Sequence, residues 1–196
     1  MANITRGGFR PKFAGIKGAR RYEVVSGVST AIFPGDVVTL LTDGTVAAAS
    51  AGGADLVLGV VAAASYVDSS GSRVRRYIPA STTYSPTARG SKNASYVWVW
   101  DDPTIEYVAT VSTGTNTAAV IYALLGANAD IVATAGDTVY GRSNHTIDGS
   151  GATTGTLRFR ITEIYRDPAN DLTSANWKAV CQIDEGQHPF YSQAGI

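Results

Sequence analysis

Reactive side chains are few in this chain: His145 and His188, Cys181, Ser143, and the acids Asp101, Asp102 and Glu106. The two histidines stand in separate turn-rich stretches, and neither has a second His, Cys or carboxylate at the spacing a metal centre needs. Gly141-Arg142-Ser143-Asn144-His145 has the outline of a nucleophile elbow, but its second Gly is missing and no strand-turn-helix pattern surrounds it. Ser143 is therefore expected to be a turn serine bonded to its own backbone. Asp101, Asp102 and Glu106 would supply three hard oxygen ligands for a divalent cation, yet Asp before Asp-Pro is ordinary turn chemistry and a turn is the expectation. Cys181 has no partner for an intrachain disulfide, and its neighbours Ala179-Val180 predict a buried strand thiol. The Gly-rich loops lack the Lys-Ser/Thr ending that a phosphate loop requires. No catalytic residue, no metal and no cofactor is expected.

The elements that would hold any site are strands. Only 16% of the residues are charged and 21 of 196 are Gly, a balance that suits a turn-rich all-β protein rather than a helical bundle or a disordered chain. The length allows one large domain, or one domain with arms. Pro34-Gly35 and Asp43-Gly44 each precede β-branched or aliphatic residues, which reads as strand, turn, strand. Val37–Leu41 and Leu56–Ala62 are nearly continuous apolar runs, so both are expected to be covered on both faces. Further strands are expected at Arg21–Val25, Val74–Ile78, Tyr96–Trp100, Ile105–Val111, Leu157–Ile164 and Trp177–Ile183. In the Leu157 strand, Phe159 and Ile161 should point inward and Arg158 and Arg160 outward. Ala135-Gly136-Asp137-Thr138-Val139-Tyr140 repeats the Gly-Asp turn ahead of a short β-branched segment, which predicts two sheets made of similar pieces. Ala118–Leu125 is the one helix candidate, with Thr115 or Thr117 as N-cap and Gly126 just past its end. About ten short strands with regular turn signals are the signature of a sandwich or barrel.

Charge is distributed unevenly. Residues 1–22 carry Arg6, Arg10, Lys12, Lys17, Arg20 and Arg21 and no acid, so this leader is +6 and the remainder −6. Phe9, Phe13 and Ile16 interrupt it without a period of two or 3.6, which predicts an extended basic arm over residues 1–20 ahead of a β body over 21–196. The arm has cations for phosphates, but it is less dense than a polybasic tract and the body is acidic, so nucleic acid is disfavoured against an anionic protein surface. No signal-type core opens the sequence and no apolar run approaches ~18 residues, so a soluble protein without a membrane partner is expected. Residues 79–95, with Tyr84, Arg89 and Lys92, read as an interaction loop. Tyr96, Trp98 and Trp100 share one face of their strand, where they would either pack as core or stack on sugar rings; core is the preferred reading.

Several short segments together resemble one class of protein. Gly8-Phe9-Arg10-Pro11, the Gly-Asp-x-Val turn, Leu58-Gly59-Val60-Val61, Asp101-Asp102-Pro103, Ala127–Val132, Arg166-Asp167-Pro168 and Gln187-His188-Pro189-Phe190 are similar to head decoration, or cement, proteins of short-tailed bacteriophages. The passage from Asp43-Gly44-Thr45-Val46 to Leu58-Gly59-Val60-Val61 also looks like the small β-tulip decoration proteins. The resemblance implies a jelly-roll-like sandwich, with a β-tulip or β-barrel as alternatives. It implies a virion protein on the outer capsid surface, bridging major capsid protein subunits, self-associating as a homodimer ahead of a homotrimer, and without enzymatic activity. Arg6, Phe9, Arg10, Lys12, Phe13, Ile16, Lys17, Arg20 and Arg21 are then the expected capsid contacts. The alternative is a phage fibre or surface module that binds carbohydrate.

Overall fold

The computed structural model describes residues 7–13, 18–52, 55–83, 94–112, 117–151, 156–173 and 175–191. In chain order the elements are β1 (Arg10–Pro11), β2 (Arg20–Glu23), β3 (Val37–Leu40), β4 (Val46–Ala48), β5 (Val57–Val67), β6 (Arg73–Val74), β7 (Tyr96–Trp100), β8 (Tyr107–Ser112), α1 (Ala118–Ala123), β9 (Asn128–Ala129), β10 (Ile131–Val132), β11 (Thr146–Asp148), β12 (Phe159–Ile164) and β13 (Lys178–Ile183). The protein is all-β, with its sheets in a sandwich-like, nearly closed barrel arrangement.

The first sheet runs β2-β7-β5-β3-β4, with β6 on the end of β5. Its two outer strands meet: Val24, just past β2, bridges Val46 of β4, and the Val25 N–H donates to the Val46 carbonyl at 3.1 Å. The sheet thus curls around Val38, Val46, Leu58, Val61, Val97 and Val99, all fully buried. The second sheet runs β10-β11-β8-β13-β12-β9. Only Asp130 separates β9 from β10, so one short stretch pairs with β12 on one side and β11 on the other. This sheet closes as well, around Tyr107, Val111, Phe159, Ile161, Ala179 and Cys181. Closure removes the row of unpaired N–H and C=O groups that an open sheet edge presents.

Val37, Val57 and Val60 belong to the second cluster, while Val38, Leu58 and Val61 belong to the first. β3 and β5 are therefore buried on both faces, which is why their sequences lack a polar alternation. The helix forms where expected: the Thr117 side chain accepts from the Val120 N–H at 3.3 Å and Gly126 follows at φ +80. Cys181 is fully buried, and burial pushes its thiol pKa far up.

Three expectations are corrected. Thr138-Val139-Tyr140 is a turn, because the Asp137 Oδ1 accepts from the Val139 N–H at 2.7 Å and the Tyr140 N–H at 3.1 Å, and this local chemistry outweighs β-propensity. Arg158 does not face water: it is buried, and its Nε donates to Asp130 Oδ1 at 2.7 Å. Residues 7–13 of the leader are built into the body, with β1 pairing antiparallel to β8 and Phe9 only 2% exposed in the second cluster. The strap crosses over Gly35, where a Cβ would lie 3.2 Å from the Gly8 Cα; Gly8 and Gly35 have φ of +92 and +94. Only glycine takes such a conformation at no steric cost.

Candidate interaction surface and inter-sheet cleft

Of the expected contact residues, Arg6, Ile16 and Lys17 lie outside the described residues, as do Tyr84, Arg89 and Lys92 of the expected interaction loop. Phe9 cannot serve as an anchor on a partner, since its ring packs on Phe159 with centroids 4.9 Å apart inside its own chain. Lys12 is occupied too. Its Nζ donates to Glu163 at 2.7 Å and to Glu106 at 3.1 Å, and these bonds raise the amine pKa and lower that of Glu163. Arg20 pairs with Asp101 at 3.4 Å. Arg21 lies 4.6 Å over the Tyr96 ring and Arg10 lies 5.7 Å over Tyr165. The opposite charges of leader and body therefore meet each other within one molecule. Phe13 remains outside, 55% exposed.

The histidines and Ser143, which the sequence leaves apart, enter two buried polar sites. His145 accepts the Val37 N–H at Nδ1 (3.3 Å), which puts its proton on Nε2, 3.5 Å from Asp36 Oδ1. The Phe33 N–H donates to the other Asp36 oxygen at 2.8 Å. Burial raises the Asp36 pKa against the opposing pull of His145, Ser143 and the Phe33 amide, and burial lowers that of His145. Ser143 accepts from the His145 N–H at 3.0 Å, the turn role expected of it. Asp, His and Ser are all nearly inaccessible here, and the one lone pair of the imidazole, on Nδ1, is taken by the Val37 N–H. The cluster joins the β3 turn of the first sheet to the approach to β11 in the second and offers no room for a substrate.

His188 is fully buried and fixes the segment that follows β13. Its Nε2 lies 3.1 Å from the Leu58 carbonyl and 2.9 Å from the Asp101 carbonyl, so it carries the proton and donates to both. Nδ1 accepts the Phe190 N–H at 3.3 Å. Phe190 and Tyr191 then stand edge-on to the imidazole and more than half exposed. Val139 and Tyr140, at the tip of the Asp137–Arg142 turn, are the most exposed large hydrophobics among the described residues, at 72% and 69%. The Val139-Tyr140 tip is hidden in the sequence by its likeness to a strand.

A cleft of about 1070 Å³ opens between the two sheets. One wall is Pro34, Gly35, Val61, Ala62 and Trp100 from the first sheet; the other includes Ala109, Thr110 and Lys178 from the second. The leader closes one end through Arg10, and Arg142, Asp167 and Asp171 complete the rim. Trp98 and Trp100 are half-buried, whereas Val97 and Val99 on the opposite face are fully buried. Arg142 and Lys178 were not separable by sequence from other surface cations, because only the fold brings them to one opening.

No protein-family model, curated protein or solved structure matches this chain.

Proposed function

We propose that the protein is a structural virion component that binds the outer surface of a phage capsid and stabilises the shell by bridging major capsid protein subunits. The observation that carries this reading is the arrangement of its apolar side chains. Phe13, the Val139-Tyr140 tip and the Phe190-Tyr191 tail are exposed on three separate chain segments of a body whose sheets curl nearly closed. A body of this kind adheres through side chains at several points rather than by strand addition, and several weak contacts on a repeating lattice give high avidity. In this reading the protein acts without catalysis, as a homodimer or homotrimer, and Phe13, Arg10, Arg20 and Arg21 contribute from the leader.

The test is co-sedimentation of purified protein with expanded, empty heads of the encoding phage. Wild type is expected to pellet with the shells, and Tyr140→Ser combined with Tyr191→Ser is expected to weaken binding while leaving the thermal transition unchanged. Protein that ignores shells would refute the reading. Truncation through residue 20 is a poor test, since it also removes Phe9 from the core.

Carbohydrate binding is supported by one feature, the half-buried Trp100 on the cleft wall, which offers a stacking face to a sugar ring. A glycan array read together with tryptophan fluorescence separates the two readings.

A further inference from the structure

Arginine in folded proteins usually finds a carboxylate, and here Arg158, Arg160 and Arg20 do so. The cations on the cleft differ. Arg10 lies over the Tyr165 ring and Arg142 lies 5.6 Å over the Tyr140 ring; among the described residues neither pairs with a carboxylate, and neither does Lys178. A guanidinium resting its face on a phenol keeps its N–H edge available, and that edge matches a planar carboxylate in a bidentate fork. The two acids of the rim are engaged by their own turns: Asp167 Oδ1 accepts from the Ala169 N–H at 2.8 Å and Asp171 Oδ1 from the Thr173 N–H at 2.9 Å.

We infer that the inter-sheet cleft is a docking site for an extended acidic peptide segment of another protein. Arg10, Arg142 and Lys178 receive its carboxylates, and the half-buried Ala62 and Trp100 line the cleft for its small apolar side chains. The charge pattern selects among ligands. Nucleic acid would set its phosphates beside Asp167 and Asp171, and a neutral sugar would leave three cations without counter-charge. A peptide carries carboxylates whose spacing can meet the cations without placing charge beside the acids. The inference rests on the proposed function only for the identity of the protein that supplies the segment.

The experiment measures fluorescence anisotropy of a fluorescein-labelled peptide alternating glutamate and alanine, titrated with the full chain. Saturable binding is expected, weakened about tenfold by Arg142→Glu or Lys178→Glu and by physiological relative to low salt. Arg75→Glu, on an exposed residue that does not line the cleft, should leave it unchanged. Arg142 sits on an exposed turn, so its variant remains readable even where Lys178→Glu disturbs β13. Absence of saturable binding, equal binding of a lysine-alanine peptide, cleft variants that bind like wild type, or tighter binding of oligothymidylate or a glucan oligosaccharide would each overturn the inference. The probe contains no shell, so its failure counts against the cleft alone. Failure to decorate heads by protein that still takes the peptide counts against the proposed function alone.

Discussion

Residues 7–13 and residues 184–191 each dock on the sheet to which they do not belong, and they do so by different physics. Residues 7–13 precede the first sheet, yet Phe9 fills the second core and β1 pairs with β8. Residues 184–191 follow the second sheet, yet His188 reaches back to carbonyls of Leu58 in β5 and Asp101 just past β7. The front end is held by a buried ring, which is insensitive to direction and to pH. The back end is held by a directed donor whose protonation state matters. Crossing over ties the two sheets together more firmly than their shared apolar wall alone, because neither can separate without undocking both ends.

The largest effect should come from the front. Phe9→Ala empties a core site and is expected to cost about 3–5 kcal/mol in denaturant unfolding; a loss below one kcal/mol would mean that the strap is not part of the cooperative unit. At the back, His188→Phe keeps most of the volume but leaves two buried carbonyls without a donor, for an expected loss of about 1–3 kcal/mol. A loss equal to that of Phe9→Ala would erase the distinction between the two anchors.

Acidification sharpens the contrast further. Burial holds His145 and His188 below the ordinary value of 6.5, so the unfolded chain takes up protons that the folded chain refuses. Their contribution is complete above pH 6.5 and is lost as pH falls through that value toward the folded pKa. Asp36, raised above 3.8 by burial, works in the opposite sense, its share being lost as pH rises from 3.8 through its folded value. Melting temperature should therefore fall between pH 7 and 5, with the same slope in Phe9→Ala and a shallower slope in His188→Phe. The smallest effect belongs to Lys12→Met. Its partners Glu106 and Glu163 are about a third exposed, so solvent screens the pairs and the expected cost is about 0.2–1 kcal/mol, diminishing with salt.

Much of this was legible where the signal was local. The continuous apolar runs of β3 and β5 announce burial on both faces, and Thr117 and Gly126 announce the ends of α1. What escaped depends on partners far along the chain. Phe9 has no periodic neighbours, because a strap that buries one side chain has no period to display. Arg158 alternates like a solvent-facing residue, and only distant partners, Asp130 on the adjoining strand segment and the Ser50 carbonyl, make its burial possible. The charge segregation between leader and body was visible, but a net charge does not say whether its complement lies in the same molecule. Lys12 with Glu106 and Glu163, and Arg20 with Asp101, supply that complement internally. The convergence of Arg10, Arg142 and Lys178 is likewise a product of topology.

The crossed ends also impose an order on synthesis. During synthesis residues 7–13 emerge ahead of β8 and β12, against which Arg10 and Phe9 settle, by roughly a hundred or more residues. The first sheet can close while its leader still waits in solvent, and the leader can seat only after the second sheet exists. His188 follows both sheets, so a nascent chain stalled between β13 and His188 would carry both halves assembled and the leader seated, with only the second latch open.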